Sequence, residues 1–358
     1  MDPSPAADRF WAAVARVAAS RLPDPAALAR HGLGPIAAEM LEREGRPIPL
    51  SLLRQQRLAR VAGVTAPDLV ARIRAACDGP LLVLKGPETA ARYPGHARAY
   101  VDVDVLVPDA RAVQRGLLAA GFVEVTDPDG RWVGIQHLNP LMCPGIPLLV
   151  EVHAAPKWPE GLAAPPIEEL LERAVPSVVG VPGVHAPAPV DHALLLAAHA
   201  WAHQPLGKAR DLVDVGAFRI DAEPGELAQR ARAWGALPLW RTTAAAIDAF
   251  LDRRRTGPFR LWATHVLELR DQTVLEAHLE RICSPFWGLP KAKAARSSAV
   301  ALAGEFRPAF DEGWGEKLRR TGVALRRPFV SVNAHRHMLG DSARRGQGRN
   351  KPPDQDSG

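Results

Sequence analysis

Two aspartates, Asp102 and Asp104, interrupt an otherwise apolar run from Val101 to Val107. Side chains alternate across a strand, so both carboxylates point to one face, about 7 Å apart along the chain, while Val101, Val103 and Val105 point to the other. Two carboxylates so close repel each other and stay ionised together only with a cation between them. Mg²⁺ is the expected cation, because hard ions take carboxylate oxygens. The bland alternative is the solvated face of an edge strand. Asp is a poor strand former, and its double appearance among Val and Leu is the kind of local inconsistency that marks a functional site.

A second apolar run, LLVEVHA, carries Glu151 and His153 on one face. If the fold lays this strand beside 101–107, Glu151 joins Asp102 and Asp104. Three carboxylates on neighbouring strands can hold two divalent ions, an arrangement suited to in-line attack on phosphorus.

The elements that must position these groups follow from periodicity and punctuation. Residues 1–78 read as a helical region, with Phe10, Val14 and Val17, then Leu52, Leu53 and Leu58, at helical spacing. Thr65 reads as a cap before Pro67, followed by the stripe Leu69, Val70 and Ile73, and Gly79-Pro80 ends the region. Over 79–158 the pattern changes to strands at 81–85, 101–107, 122–126, 131–138 and 147–153. Short helices fall at Pro87–Tyr93 and Asp109–Ala120, the latter capped by Asp109 with Val113, Leu117 and Leu118 inward. Asp127-Pro128-Asp129-Gly130 reads as a hairpin turn, and Asn139–Pro147 as a second connection. This predicts an α+β fold: a small mixed-sheet core with helices on one side, flanked by N- and C-terminal helical regions. Residues 159–189 are Pro-rich and read as a linker around a short amphipathic piece, Ile167–Arg173. Residues 190–337 read as a helical domain with Trp234, Leu239, Trp240, Ile247 and Phe250 in its core. The polar stretch 338–358 reads as a disordered tail.

The chain has 358 residues, 47% apolar and 23% charged, with a net charge of +6. That is an ordinary globular composition, and the mild positive balance is compatible with an anionic substrate. Cys77, Cys143 and Cys283 are too few and too scattered for a disulfide framework or a zinc ribbon, which fits a reducing cytoplasm. The first residues lack the apolar core of a signal peptide, and no apolar run approaches the roughly 20 residues of a membrane span. Walker, dinucleotide-fingerprint and nucleophile-elbow motifs are absent from the sequence. The basic residues from Arg319 to Arg349 lack interleaved aromatics, so they read as solvated surface rather than as a nucleic-acid site.

Together, Lys85-Gly86, Tyr93-Pro94, Arg98-x-x-x-Asp102-x-Asp104-x-Leu106-Val107 and Glu151-x-His153 resemble the uncharacterised bacterial nucleotidyltransferase family of the DNA polymerase β-type superfold, from about residue 30 to about residue 220. The wider superfamily carries Gly-Ser where this family and this chain carry Lys-Gly, so the resemblance implies a phosphate grip that differs in detail. It implies a two-Mg²⁺ enzyme that transfers NMP from an NTP to an acceptor. Asp102 and Asp104 would bind both ions. Glu151 would bind the catalytic ion and help deprotonate the acceptor. Gly86 would admit the triphosphate at the N-terminus of the following helix. Lys85 is then either a phosphate contact or a lysine snorkelling at a strand end. Arg98 is either a phosphate fork or an ion-pair partner of the Asp cluster, and His153 either a packing group or a substrate contact. The family also shows an Asp near Asp214, which is expected to face the cleft. His199 and His203 have a zinc-compatible spacing, but with no accompanying Glu or Cys they read as packing groups. The rival functional readings are a non-catalytic nucleotide-binding or scaffolding protein of the same fold, and a metal-dependent phosphohydrolase. The acceptor is not legible; it spans small molecules, peptides, proteins and RNA, and no membrane partner is expected.

Overall fold

Four helices precede the first strand in the computed structural model, which describes residues 4–125, 138–255, 257–308 and 313–334. They are α1 (Pro5–Ala19), α2 (Pro25–Arg30), α3 (Gly34–Arg43) and α4 (Leu50–Ala75). Helix α1 starts as its sequence dictates: the Ser4 hydroxyl accepts from Ala7 N–H, Pro5 takes the first turn, and Val14 and Val17 are buried. Helix α4 corrects the expected break at Pro67. Thr65 does not cap a new helix; its Oγ1 donates back to the Val61 carbonyl, and the helix runs on through Pro67. The carbonyl that the proline ring would crowd belongs to Gly63, four residues back, where no side chain adds to the congestion.

The strands are β1 (Leu81–Val83), β2 (Asp102–Leu106), β3 (Val123–Glu124), β4 (Leu141–Met142) and β5 (Leu149–His153), with α5 (Pro87–Ala90) and α6 (Ala110–Ala119) between them. After α7 (Ile167–Glu172) come β6 (Val175–Pro176) and β7 (Val184–Ala186). All seven form one sheet in the order β3-β4-β5-β2-β1-β7-β6. Strands β2 and β5 pair parallel, as do β1 and β7, and the other neighbours are antiparallel. The fold is therefore the expected mixed-sheet α+β arrangement with flanking helices.

Three local readings differ. The 139–147 connection contains β4, and the Pro-rich stretch after 158 contributes β6 and β7. Two- and three-residue strands carry too little alternation to register against Pro and Gly, and Pro176 sits in an edge strand, where its missing N–H costs nothing. Leu118 of α6 is exposed, while Leu117 is buried and Asp109 caps the helix as expected. The turn expected at 127–130 and nearly all of the strand expected over 131–138 lie outside the described residues, as does the 338–358 tail.

One face of the sheet is apolar. Val103, Val105, Val150 and Val152 pack with Leu69, Val70 and Ile73 of α4 and Leu117 of α6. Each fully buried valine contributes roughly 1.5–3 kcal/mol relative to exposure, which anchors strands whose other face carries charge. That second face is also covered, against expectation. Helix α8 (Pro189–His203) brings Leu195, Leu196 and His199 over it, and α9 (Ala209–Arg219) packs on α8. Helices α10 (Pro224–Ala233) and α11 (Leu237–Leu251) complete the helical layer, with Leu239, Trp240, Ile247 and Phe250 buried as expected.

By its internal contacts the chain divides into two units, Met1–Arg254 and Arg255–Gly358. The second is helical, with α12 (Pro258–Leu261), α13 (Thr264–Glu268), α14 (Val274–Cys283), α15 (Pro285–Gly288), α16 (Lys291–Glu305) and α17 (Trp314–Arg326). Helix α14 opens with a capping box between Thr273 and Glu276, and Glu276 also takes two hydrogen bonds of 2.7 Å from Arg270. Among the described residues no helix is long and apolar enough to cross a membrane.

Candidate active site

The register of β2 against β5 builds the site. Asp102 pairs with Leu149, Asp104 with Glu151 and Leu106 with His153. Directly paired residues of parallel strands share a face, so Asp102, Asp104, Glu151 and His153 project from the same side of the sheet. The register sets Glu151 directly beside Asp104, with Asp102 one pair further along the same face.

Ligand atoms of Asp104, Glu151 and His153 all lie within 4.8 Å of one another. His153 Nε2 donates to Asp104 Oδ1 at 3.0 Å and is 3.7 Å from Glu151 Oε2. Donors about 2.0–2.5 Å from one divalent ion are separated by at most about 4–5 Å, so this triple fits a single ion. Two carboxylates suit a hard cation, and the imidazole widens the choice toward transition metals. Asp104 and His153 are buried, whereas the Glu151 side chain keeps 22% exposure. Asp102 is outside this triple and lines the larger cavity.

The electrostatics reflect the crowding. Burial, and then the charges of Asp104 and Glu151, push the Asp102 carboxyl up to about 6. Burial would raise Asp104 as well, but the hydrogen bond from His153 and the charge of Lys85 outweigh it and hold Asp104 well below the usual carboxylate range. For His153 burial opposes the charge, yet its bonds to Asp104 and Glu151 lift the imidazolium to about 9. Lys85 is pushed down by burial, with Asp104 and Asp211 among the charges that resist the shift.

A cavity of about 580 Å³ opens beside these groups, with Lys85, Gly86, Arg98, Asp102, His199 and Asp211 in its wall. Beneath it a space of about 20 Å³ touches Asp104, His153, Lys85, Lys157 and His199. Gly86 has φ +72°, and a Cβ there would stand 2.9 Å from the Asp102 carbonyl oxygen and 3.3 Å from the Tyr100 ring. Only glycine fits this position. The helix after it, α5, has four residues and begins with Pro87, which has no N–H to offer. The expected helix-terminus contribution to phosphate binding is therefore small here, and the cationic side chains must supply most of that attraction.

Arg98 lines the cavity but is already engaged. Its Nε and Nη2 donate to the two carboxylate oxygens of Asp214, both at 2.8 Å, and the Tyr93 hydroxyl donates to the same carboxylate. The ion pair foreseen for Arg98 thus exists, with Asp214 rather than with the Asp102–Asp104 cluster. Asp214 also lines the cavity, as expected, but as the base of this buried pair. Burial raises the Asp214 carboxyl and Arg98 more than reverses the effect, so it too lies below the usual range.

His199 and His203 stack with centroids 4.7 Å apart on the cavity wall. Lys157 Nζ lies 2.7 Å from His203 Nε2, taking a ring nitrogen that a zinc ion would need. Burial and nearby lysines push His203 down to about 4, and His199 well below its ordinary value. Lys157, Lys208 and Arg210 were missed from the sequence. Lys157 follows Glu151 closely but lies past the end of β5, whereas Lys208 and Arg210 stand far along the chain, and no spacing rule links any of the three to the site.

Among known protein families, the model of one described as an uncharacterised nucleotidyltransferase matches residues 26–252, a span that contains every site residue named above. No curated protein and no solved structure matches the chain.

Proposed function

The chain belongs to that uncharacterised nucleotidyltransferase family, and from this premise we propose that it transfers NMP from an NTP to an acceptor hydroxyl with release of pyrophosphate. The observation that carries the reading is the parallel register of β2 and β5, which sets Asp104 beside Glu151 on the face where Asp102 lines a cavity with Lys85, Arg98, Lys208 and Arg210. Asp102, Asp104 and Glu151 would hold the divalent ions, with two Mg²⁺ the expected complement. His153 joins them as a fourth donor or fixes the Asp104 rotamer through its Nε2–H. Bound there, the ions would polarise the α-phosphate and offset the charge of the departing pyrophosphate.

The chain's own groups do the rest. Gly86 lets the backbone approach the triphosphate, and Lys85, beside Asp102 and Asp104, meets it as a point charge. Lys208 and Arg210 face the same cavity and add to its attraction for a polyanion. The acceptor oxygen attacks the α-phosphorus, the bond to the bridging oxygen of the β-phosphate breaks, and pyrophosphate leaves with that electron pair. Glu151, the more exposed acid of the triple, receives the acceptor proton. Positioning and charge compensation supply most of the acceleration, since this chemistry needs little covalent help.

The test is incubation of the purified chain with each labelled NTP, Mg²⁺ or Mn²⁺ and a cell extract. Pyrophosphate and a labelled product should form with the native chain, and Asp104→Asn should reduce both by at least about a thousandfold, as for loss of a principal metal ligand. Full turnover in Asp104→Asn would sink the assignment.

A further inference from the structure

The segment between Gly86 and Asp102 carries a site group at each end, yet has little regular structure of its own. It holds the four-residue α5, one 3₁₀ turn at Pro94–His96 and an irregular stretch over 97–100. One anchor is the β6–β7 connection, where the Ser177 hydroxyl and Val178 N–H donate to Glu88 of α5; further anchors come from outside the sheet. Three of its side chains reach α9 and the turn that follows it: Tyr93 and Arg98 both bind Asp214, while Arg92 lies over the Phe218 ring at 4.6 Å and pairs with Asp221. Residues 214, 218 and 221 are spaced i, i+4 and i+7, one face of α9 and its continuation. Helix α8 adds a further anchor. The His192 Nε2–H donates to the carbonyl of Leu84, just before Lys85, and the His192 ring packs on Phe218 with centroids 4.1 Å apart.

We propose that Asp214 is a positioning residue of the phosphate grip, holding Arg98 and Tyr93 so that the 86–102 segment presents Lys85, Gly86 and Asp102 to one cavity. This deepens the nucleotidyltransferase reading and rests on it. An ion pair this buried is a poor source of stability, because desolvation offsets most of the attraction; retaining one fits a geometric role better. The bidentate geometry also commits the Nε/Nη2 edge, one of the two guanidinium edges that a phosphate fork could use. Arg98 in this arrangement acts through the backbone it anchors, and Lys85, Lys208 and Arg210 are the other cations of the cavity wall that can meet phosphate.

The experiment compares the full-length native chain with Asp214→Asn and Asp214→Glu by amide hydrogen exchange and by titration with each NTP and with Mn²⁺ alone. In Asp214→Asn, exchange over 86–101 should accelerate by at least about tenfold while β2, β5, α8 and α9 keep their protection. NTP affinity should fall about tenfold and Mn²⁺ affinity change by less than about twofold. Asp214→Glu should restore part of both effects. If Asp214→Asn does not fold, Tyr93→Phe, which removes one hydrogen bond and keeps the ion pair, should loosen the same segment to a smaller degree. Unchanged exchange over 86–101, or loss of protection spread evenly over the first unit, would overturn the proposal. A native chain that binds no NTP in the presence of Mn²⁺ would overturn the nucleotidyltransferase reading instead, and the exchange data would still decide whether Asp214 orders the segment.

Discussion

At Gly86 a single absent carbon decides whether the chain leaving β1 through Lys85 can pass the strand carrying Asp102. Alanine there would meet the Asp102 carbonyl at 2.9 Å while holding a φ of +72°. Gly86→Ala should therefore destabilise the fold by roughly 1–3 kcal/mol, seen as a lower midpoint in chemical denaturation, with a larger proportional loss in NTP affinity. The carboxylates offer a second check at the same scale. A divalent ion that binds only the folded chain stabilises it by about 2.7 kcal/mol at a hundred times its dissociation constant. Adding Mn²⁺ should raise the thermal midpoint of the native chain, EDTA should reverse the rise, and Asp104→Asn should abolish it. An equal rise in that variant would place the ion somewhere other than the Asp104–Glu151–His153 triple. Residue types and spacing pointed to the acids, which stand out against Val and Leu, and the family resemblance pointed to the Lys-Gly pair. The partner of Arg98 was not legible, since 116 residues separate it from Asp214 and only the folded chain brings the two together.

At the level of elements, β2 and β5 were readable because each alternates a fully apolar face with a polar one. Their register was not, because a slip of two residues keeps every side chain on its face and satisfies the same alternation. The short strands β4, β6 and β7 were hidden for a different reason: their pairing comes from neighbours already in place, not from their own residues. Helix α8 carries a testable consequence. Burial drives the His192 ring down to about 3, against an ordinary value of about 6.5, so the folded state holds it neutral. The unfolded chain then binds the extra proton between those two values. The contribution of His192 to stability is complete above about pH 6.5 and is lost as the pH falls toward 3. Unfolding midpoints measured across pH 7 to 4 should decline in the native chain and decline less steeply in His192→Gln. Parallel declines would show that His192 is not the group responsible.

For the whole molecule, the family match ends at residue 252 and the first unit at Arg254, so two independent boundaries nearly coincide. The sheet, its covering helices and every candidate site residue lie on the N-terminal side of both. A chain ending after Arg254 should unfold in one cooperative transition and bind NTP within about threefold of the full-length affinity. Loss of binding on truncation would assign residues 255–358 a part in the site.

The pairing of β2 with β5 also governs when the site comes into being. Asp104 and Glu151 meet through a non-local contact, and the wall opposite them comes from α8 and α9, later still in the chain. During synthesis from the N-terminus, a ribosome that has not yet delivered α9 holds acidic strands with no enclosure around them. Capacity to capture a divalent ion should therefore emerge in two stages, weak once residue 153 has been made and tight only after the covering helices α8 and α9 have been added.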